Sequence, residues 1–301
     1  MKRQTILITG ASGLVGSGFV EKIGKKADVG DLLCPSHEEL DIVDFERLRN
    51  YINKHKPDVI INFAAHRNAN TAEEQRNNKN GSAWKTNVIG TRNLVKICKQ
   101  NRIYLIHIST DYVFSGYSDR KGPYSESKLP ESDVKNLSWY GWTKYLAEKS
   151  VLTLRTNFSI LRIGNVVRPI YDPKLDYIGK ILWLFDQDRL YPLFNDQFVT
   201  LSYIPDIVLV IEKILEKKSA GIFHVASRDL STPFKIAEYL IYKSRKQKGV
   251  VKKACADVFL KNFPNRYPKY GGLLTEKTQK TLGIKFGSWR DIVDNFIKYA
   301  N

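Results

Sequence analysis

A glycine-rich turn near the N-terminus constrains the fold of this chain more than any other feature. The turn is Thr9-Gly10-Ala11-Ser12-Gly13-Leu14-Val15-Gly16, and the apolar run Ile6-Leu7-Ile8 precedes it. The first glycine allows a sharp turn off a strand, the second a close approach of backbone to phosphate, and the third close helix–sheet packing. Free N–H groups at the start of the following helix favour an anionic ligand. The pattern predicts a strand, a phosphate-binding turn and a helix.

Short apolar runs alternate with helical patterns through the first half of the chain. This alternation is typical of βαβ units, so we expect an α/β fold with a doubly wound parallel sheet. The predicted strands are residues 5–9, 31–34, 58–63, 103–109 and 158–163. The predicted helices are residues 13–25, 44–55, 82–100 and 138–153, and the polar stretches 70–81 and 115–136 are interpreted as loops.

The second half mixes strand and helix signals. We predict helices over 175–186 and 205–216, a strand at 221–226, a helix start at 231–233, and a capping box at 288–291 before the last helix. We therefore expect a dinucleotide-binding domain from residues 1–165 plus 206–226. A smaller C-terminal α/β lobe for the substrate would comprise residues 166–205 plus 227–301.

The net charge of +17 raises the question of a nucleic-acid partner. Lysine and arginine are spread along the whole chain, which indicates a solvated basic surface that also attracts an anionic nucleotide. The three cysteines do not match a metal-ligand spacing, and no apolar run is long enough to cross a membrane. We expect a cytoplasmic protein with no metal, nucleic-acid or membrane partner, and with a homodimer as one option for its assembly.

A second pattern, Tyr140-Gly141-Trp142-Thr143-Lys144, carries acid–base chemistry. Residues four apart share one face of a helix. A phenol has a pKa near 10, and a neighbouring ammonium group lowers that pKa. Tyr140 beside Lys144 is therefore a candidate general acid for a carbonyl oxygen. The alternative for an isolated match is an interfacial tyrosine beside a solvated lysine.

The strand over 103–109 runs into Thr110-Asp111-Tyr112-Val113-Phe114, at the sheet edge where doubly wound folds bind ligands. Thr110 is a candidate partner of the same carbonyl oxygen, with backbone capping as the alternative. His66 is interpreted either as a site residue or as a satisfied loop histidine, and His107 as a core residue. Trp183 is a candidate for stacking on a nucleotide base, with a core position as the alternative.

These patterns, in this order, resemble the extended short-chain dehydrogenases/reductases, a family with the Rossmann fold. The branch they resemble is that of the dTDP-4-dehydrorhamnose reductases, and the likeness runs from about residue 4 to residue 297. The further segments that carry it are Pro57-Asp58-Val59-Ile60-Ile61-Asn62, Pro123-Tyr124-x-Glu126, Asp196-Gln197 and Leu274-Thr275-Glu276-Lys277.

The resemblance implies an NADP- or NAD-dependent oxidoreductase that reduces the C4 ketone of a nucleotide-linked 4-keto-6-deoxy sugar. Tyr140 would donate the proton, Lys144 would be its partner, and Thr110 would orient the carbonyl. The implied cofactor residues are Gly10, Ser12, Gly13, Leu14, Val15, Gly16, Asp41, Ile42, Phe63, Ala64, Ala65, Asn87, Tyr140, Lys144 and Ile163. With the candidates above, the substrate side would comprise His66, Thr110, Val113, Phe114, Asn165, Val166, Trp183 and Gln197.

The end of the second strand bears on the choice between NADP and NAD. An acidic residue at that point binds the ribose 2′-hydroxyl and repels a 2′-phosphate. Here Ser36 and His37 come before the first acidic residue, Glu38, and both side chains can accept a phosphate. The segment therefore favours NADP over NAD. The preference is mild, because the segment contains no arginine to bind a phosphate.

Two alternatives share this fold. A sugar-nucleotide epimerase needs the same threonine, tyrosine and lysine but keeps NAD bound. A nucleotide-binding regulatory subunit has no turnover. Related dehydratases carry a glutamate where Tyr112 follows Asp111, so the sequence argues against dehydration.

Overall fold

The computed structural model of the chain describes residues 4–24, 30–169 and 176–298. Residue 25, the predicted end of the first helix, and residue 175, a predicted helix start, lie outside the described residues. The chain divides into two compact units. The first comprises Met1–Val113, Pro130–Arg162 and Ile211–Phe223, and the second comprises Phe114–Leu129, Ile163–Val210 and His224–Asn301.

The described elements follow the chain in this order. The strands are β1 Thr5–Thr9, β2 Asp31–Leu33, β3 Val59–Asn62, β4 Tyr104–Thr110, β5 Phe158–Ile163, β6 Val166–Val167, β7 Leu193–Phe194, β8 Ser202–Tyr203, β9 Gly221–Val225 and β10 Lys253–Ala254. The helices are α1 Leu14–Ile23, α2 Phe45–His55, α3 Ala69–Glu73, α4 Ser82–Trp84, α5 Thr91–Asn101, α6 Trp139–Leu152, α7 Tyr177–Asp186, α8 Ile204–Lys217, α9 Pro233–Arg245, α10 Ala256–Asn262, α11 Glu276–Leu282 and α12 Trp289–Ile297. A π-helical segment, Lys85–Gly90, joins α4 to α5, and 3₁₀ turns cover Asp111–Val113 and Val134–Asn136.

The central sheet is six-stranded, in the order β2-β1-β3-β4-β5-β9. Strand β1 pairs in parallel with β2 and β3, and β3 pairs in parallel with β4. The apolar run Ile6–Ile8 is fully buried, as a strand covered on both faces requires. The predicted α/β class with a doubly wound parallel sheet is confirmed, and so are the five strands predicted in the first half.

Two local predictions in the first unit are wrong. The residues predicted to form one helix over 82–100 include the π-helical segment, in which Asn87 and Val88 are both buried. The stretch 70–81 is not simply an exposed loop, because α3 extends into it as far as Glu73 and Ala72 of this helix is buried. The Asn68 side chain caps α3, and the Glu73 carboxylate accepts a hydrogen bond from the backbone of Trp139 at 2.8 Å. These polar residues therefore serve as caps and anchors of a packed segment.

In the second unit, α7, α9 and α12 pack around a shared apolar core that includes Leu182, Leu240 and Val293. The predicted caps are confirmed: Thr232 accepts a hydrogen bond from the backbone of Lys235, and Ser288 forms a capping box with Asp291. None of the helices in the described ranges is long and apolar enough to span a bilayer.

The units differ from the division expected from the sequence. Residues 114–129 fall in the second unit, as do 163–165, 206–210 and 224–226. The reason lies in long-range contacts of the segment 114–129. Tyr124 forms a bridge with Leu273, and the Glu126 carboxylate accepts a hydrogen bond from the backbone of Thr278 at 2.9 Å.

Candidate active site

The glycine turn after β1 is shaped by close backbone packing. Gly10 has a φ of +69°, and a Cβ there would lie 2.6 Å from the backbone nitrogen of Ala64. At Gly16 a Cβ would collide with the carbonyl oxygen of Gly10. Gly13 is the N-cap residue of α1 and provides no side-chain cap, and the first turn of the helix holds no acidic residue. The first N–H groups of α1 are therefore suited to the phosphates of a dinucleotide.

The turn after β2 contains the residues expected to distinguish NADP from NAD. Ser36 and His37 are exposed. The backbone N–H of Ser36 donates to the Glu39 carboxylate at 2.8 Å, and the Glu39 N–H donates to the Ser36 hydroxyl at 3.2 Å. Asp41 accepts a hydrogen bond from the backbone of Val43 at 2.8 Å. Sequence reasoning missed Glu39, whose bond to Ser36 follows from the three-residue spacing typical of a capping box.

Helix α6 brings the predicted catalytic residues to the end of β4. Ser138 caps the helix by accepting a hydrogen bond from the backbone of Gly141 at 3.1 Å. A Cβ at Gly141 would collide with the carbonyl oxygen of Tyr112, so glycine allows α6 to lie directly against the turn after β4. In this position the Tyr140 ring packs edge-on against Tyr112, with ring centroids 5.6 Å apart, and its hydroxyl comes close enough to Thr110 for that side chain to influence its pKa. Lys144 lies one helical turn further along the same face.

Burial dominates the protonation of this site. It raises the pKa of Tyr140 to about 12, aided by the charge of Asp111 and opposed by the neighbouring Thr110 hydroxyl and by Arg67. Burial also lowers the pKa of Lys144 to about 8, against the charge of Glu148. The net shift of the Tyr140 pKa is upward because of burial, and the lowering of this pKa by Lys144 stays a prediction. The amine of Lys144 instead donates to the carbonyl oxygen of Ile108 at 2.6 Å.

His107 is buried, as predicted for a core residue, but it has polar contacts at both ring nitrogens. Its Nε2 atom lies 3.2 Å from Lys144 Nζ, and its Nδ1 atom lies 3.1 Å from the amide nitrogen of Asn62. Sequence reasoning missed this contact. The available signal was that Asn62 and His107 come near the ends of adjacent predicted strands.

His66 and Asn87 are linked to each other. The backbone N–H of His66 donates to the Asn87 side-chain oxygen at 2.9 Å, and the Asn87 amide donates to the His66 carbonyl at 3.1 Å and to the Thr143 hydroxyl at 2.9 Å. The His66 ring contacts the hydroxyls of Thr71 and Ser82 at 2.9 and 3.1 Å. These contacts agree with the interpretation of His66 as a loop histidine whose hydrogen bonds are satisfied. Asn87 links the backbone of His66 to α6. Phe63, Ala64 and Ala65 precede it and are partly exposed.

The remaining predicted residues lie in the second unit, except for Val113, which is buried in the first. Phe114 is buried against Tyr124, with ring centroids 4.0 Å apart. Asn165 and Gln197 donate to the backbone carbonyls of Thr200 and Pro268 at 3.2 and 3.1 Å. Ile163 ends β5, Val166 begins β6, and Trp183 is half-buried on α7.

The sequence profile of the RmlD substrate binding domain family matches residues 4–301. The chain belongs to this family. One relative is the probable low-salt glycan biosynthesis reductase of Haloferax volcanii. It is 30% identical over 243 residues, with 77% of each chain covered. The dTDP-4-dehydrorhamnose reductase of Aggregatibacter actinomycetemcomitans is 27% identical over 311 residues, with 98% of this chain and 99% of that protein covered.

A solved structure confirms the fold that the RmlD family shares. It is the dTDP-4-dehydrorhamnose reductase of Bacillus anthracis in complex with NADP. The TM-score is 0.83 at 24% identity, covering 98% of this chain and 99% of that one. The predicted resemblance to the extended short-chain dehydrogenases/reductases, in the dTDP-4-dehydrorhamnose reductase branch, is thus confirmed.

Proposed function

We propose that this protein is an NADPH- or NADH-dependent reductase of a nucleotide-linked 4-keto-6-deoxy sugar. The observation that carries the proposal is the placement of Tyr140 beside Thr110 at the end of β4, with Lys144 one turn along the same helix. The doubly wound sheet, the glycine turn and membership of the RmlD substrate binding domain family support it.

The cofactor would bind along the C-terminal ends of β1 and β2. The turn from Gly10 to Gly16 would hold the pyrophosphate, because the start of α1 has no capping side chain to bond its first N–H groups. Ser36 and His37 would meet the adenosine ribose. When bound, the nicotinamide supplies the hydride. We propose NADP as the preferred cofactor on the strength of Ser36 and His37, although the Glu39 carboxylate bonded to Ser36 opposes a 2′-phosphate.

Thr110 and Tyr140 would perform the proton chemistry. Both hydroxyl groups can donate to a ketone oxygen placed between them. A phenol whose pKa is raised to about 12 stays protonated at neutral pH, so Tyr140 holds the proton that the alkoxide oxygen takes up. Lys144, when charged, would stabilise the phenolate that this transfer leaves behind.

The substrate roles of the other residues stay predictions. They are His66 and Val113 in the first unit, and Phe114, Asn165, Val166, Trp183 and Gln197 in the second. We further propose a cytoplasmic enzyme that works alone or as a homodimer, without nucleic acid.

The test is the oxidation of NADPH and of NADH, followed by absorbance, with a dTDP-linked 4-keto-6-deoxy sugar that is generated in situ as the substrate. We expect oxidation that depends on the sugar, faster with NADPH. Cofactor binding without oxidation would contradict the proposal. NAD that stays bound through purification would then favour an epimerase, and a protein that binds nucleotide without any turnover would favour a regulatory subunit.

A further inference from the structure

Asn62 and His107 connect the end of β1 with the amine of Lys144. Thr9, Asn62 and His107 are register neighbours on β1, β3 and β4. Asn62 is 1% exposed and His107 is 0% exposed. The proposed reaction uses neither side chain, although His107 Nε2 lies 3.2 Å from Lys144 Nζ. Buried polar groups at such distances must match donor to acceptor, so their hydrogen positions can be worked out.

The orientation of the Asn62 amide is fixed by its neighbours. The backbone N–H of Ala64 lies 3.2 Å from Asn62 Oδ1, and a backbone N–H can only donate. Thr9 donates to the same oxygen at 2.7 Å. The other end of the amide, Nδ2, therefore faces His107 Nδ1 at 3.1 Å and can only donate to it.

The tautomer of His107 follows from this orientation. Since Nδ1 accepts a hydrogen bond, it carries no proton, and the neutral ring has its single proton on Nε2. Burial lowers the pKa of His107 well below its usual value, and Lys144 in its charged form lowers it further, so the ring is neutral in either state of Lys144. The Nε2–H group then points at Lys144.

At Lys144 this hydrogen has a favourable partner in only one protonation state. An ammonium group has donors alone, so it would face another donor. A neutral amine can accept the Nε2–H bond with its lone pair while it donates to the Ile108 carbonyl at 2.6 Å. The contacts of Lys144 thus favour the amine, in the same direction as its burial.

We propose that His107 is a positioning residue that donates its Nε2–H to Lys144, stabilises the neutral amine, and so sets the pH above which activity is lost. Only the last step rests on the proposed function. The charged and titratable groups around this face, from α6, β4, β5, the turn after β4 and the segment after β3, are Tyr140, Glu148, His107, Arg162, Asp111 and Arg67. Among them, Glu148 favours the ammonium form of Lys144, and Arg162 is paired with Glu148.

Two variants at position 107 distinguish a hydrogen-bond donor from a side chain that only fills space. His107→Leu removes the N–H group, whereas the amide of His107→Gln can present an N–H close to the position of Nε2. We expect the alkaline limb of kcat/KM to move up by about one pH unit in His107→Leu and to stay near its wild-type position in His107→Gln. A purely structural role would lower the rate at every pH without moving the limb. An unmoved limb in His107→Leu would overturn the proposal.

A second measurement needs no turnover, and it uses a variant only to assign the His107 signal. Nitrogen NMR of wild-type protein labelled at histidine reports the tautomer directly, with the His107 signal assigned by its loss in His107→Gln. We expect a neutral Nε2–H tautomer that does not titrate between about pH 6 and pH 8. A proton on Nδ1, or titration near the ordinary histidine pKa, would overturn the inference. If the tautomer is as expected and no sugar is reduced, the hydrogen bond stands and the proposed function fails.

Discussion

Glu148 and Arg162 form a double hydrogen bond in which neither side chain is more than 1% exposed. Arg162 Nε and Nη2 donate to the two carboxylate oxygens of Glu148 at 2.9 and 2.7 Å, and the Ser109 hydroxyl donates to the same carboxylate at 2.6 Å. The pair joins β5 to the face of α6 that carries Tyr140 and Lys144. It therefore fixes the helix that presents the proposed proton donor.

Replacing one partner of this pair should destabilise the protein strongly. Glu148→Leu removes the carboxylate with which the buried guanidinium of Arg162 is paired, and we expect the free energy of unfolding to fall by about 3–5 kcal/mol. The double variant Glu148→Leu with Arg162→Met should recover most of that loss, because neither charge of the pair stays buried. Urea unfolding of both variants checks this. Equal losses in the single and double variants would show that packing, not charge, is decisive.

Tyr140→Phe should remove the proton donor and little else. We expect kcat for sugar reduction to fall by about 10²–10⁴-fold, the usual contribution of a general acid. The affinity for the cofactor, measured by fluorescence titration, should stay near the wild-type value. Turnover close to that of the wild type would exclude the role proposed for Tyr140.

Asp111→Asn should stabilise the protein in a pH-dependent way. Burial raises the pKa of the folded carboxyl to about 6 from an ordinary value of 3.8. The folded state therefore binds this proton more tightly than the unfolded state, and its ionisation costs stability. That cost is absent below the unfolded pKa and complete above the folded one.

The expected gain for Asp111→Asn is about 1–3 kcal/mol near pH 8, and it should nearly vanish around pH 4. Urea unfolding of the wild type and the variant at both pH values checks the sign. A gain of the same size at both values would mean that the buried charge is not its cause.

Glu39→Gln should shift the choice of cofactor. The Glu39 carboxylate accepts a hydrogen bond from Ser36, so a 2′-phosphate beside Ser36 would meet a negative charge. We expect KM for NADPH to fall by roughly 5–10-fold, with KM for NADH little changed, because one close unit charge is removed. The matched control is Glu38→Gln, a neighbouring exposed carboxylate. The same change in both variants would point to general surface charge.

Local sequence signals predicted the parts of this fold that depend on neighbours along the chain. The run Ile6-Leu7-Ile8 predicts β1 because a strand buried on both faces needs continuous apolar residues. Thr232 and Ser288 predict helix starts because their hydroxyls cap N–H groups two or three residues on. The proximity of Thr110 and Tyr140 followed from the rule that ligands bind at the carboxyl ends of parallel strands.

The features that sequence reasoning missed depend on residues far apart in the chain. The segment 114–129 belongs to the second unit because Tyr124 and Glu126 pair with Leu273 and Thr278. The pKa of Tyr140 rises because of burial that spacing alone does not reveal. The Asn62–His107 contact required the register of β3 against β4.

The π-helical segment Lys85–Gly90 lies between a part of the backbone that holds a loop and a part that packs into the core. Before its end, Asn87 holds the loop at His66, and after it Leu94 and Cys98 fill the core. Deleting one residue here would restore regular α-helical winding and turn one of these halves by about 100° relative to the other. The number of residues in this segment is therefore constrained more strictly than their identity. As long as that number is kept, the residues that contact the loop and those that fill the core can be substituted independently.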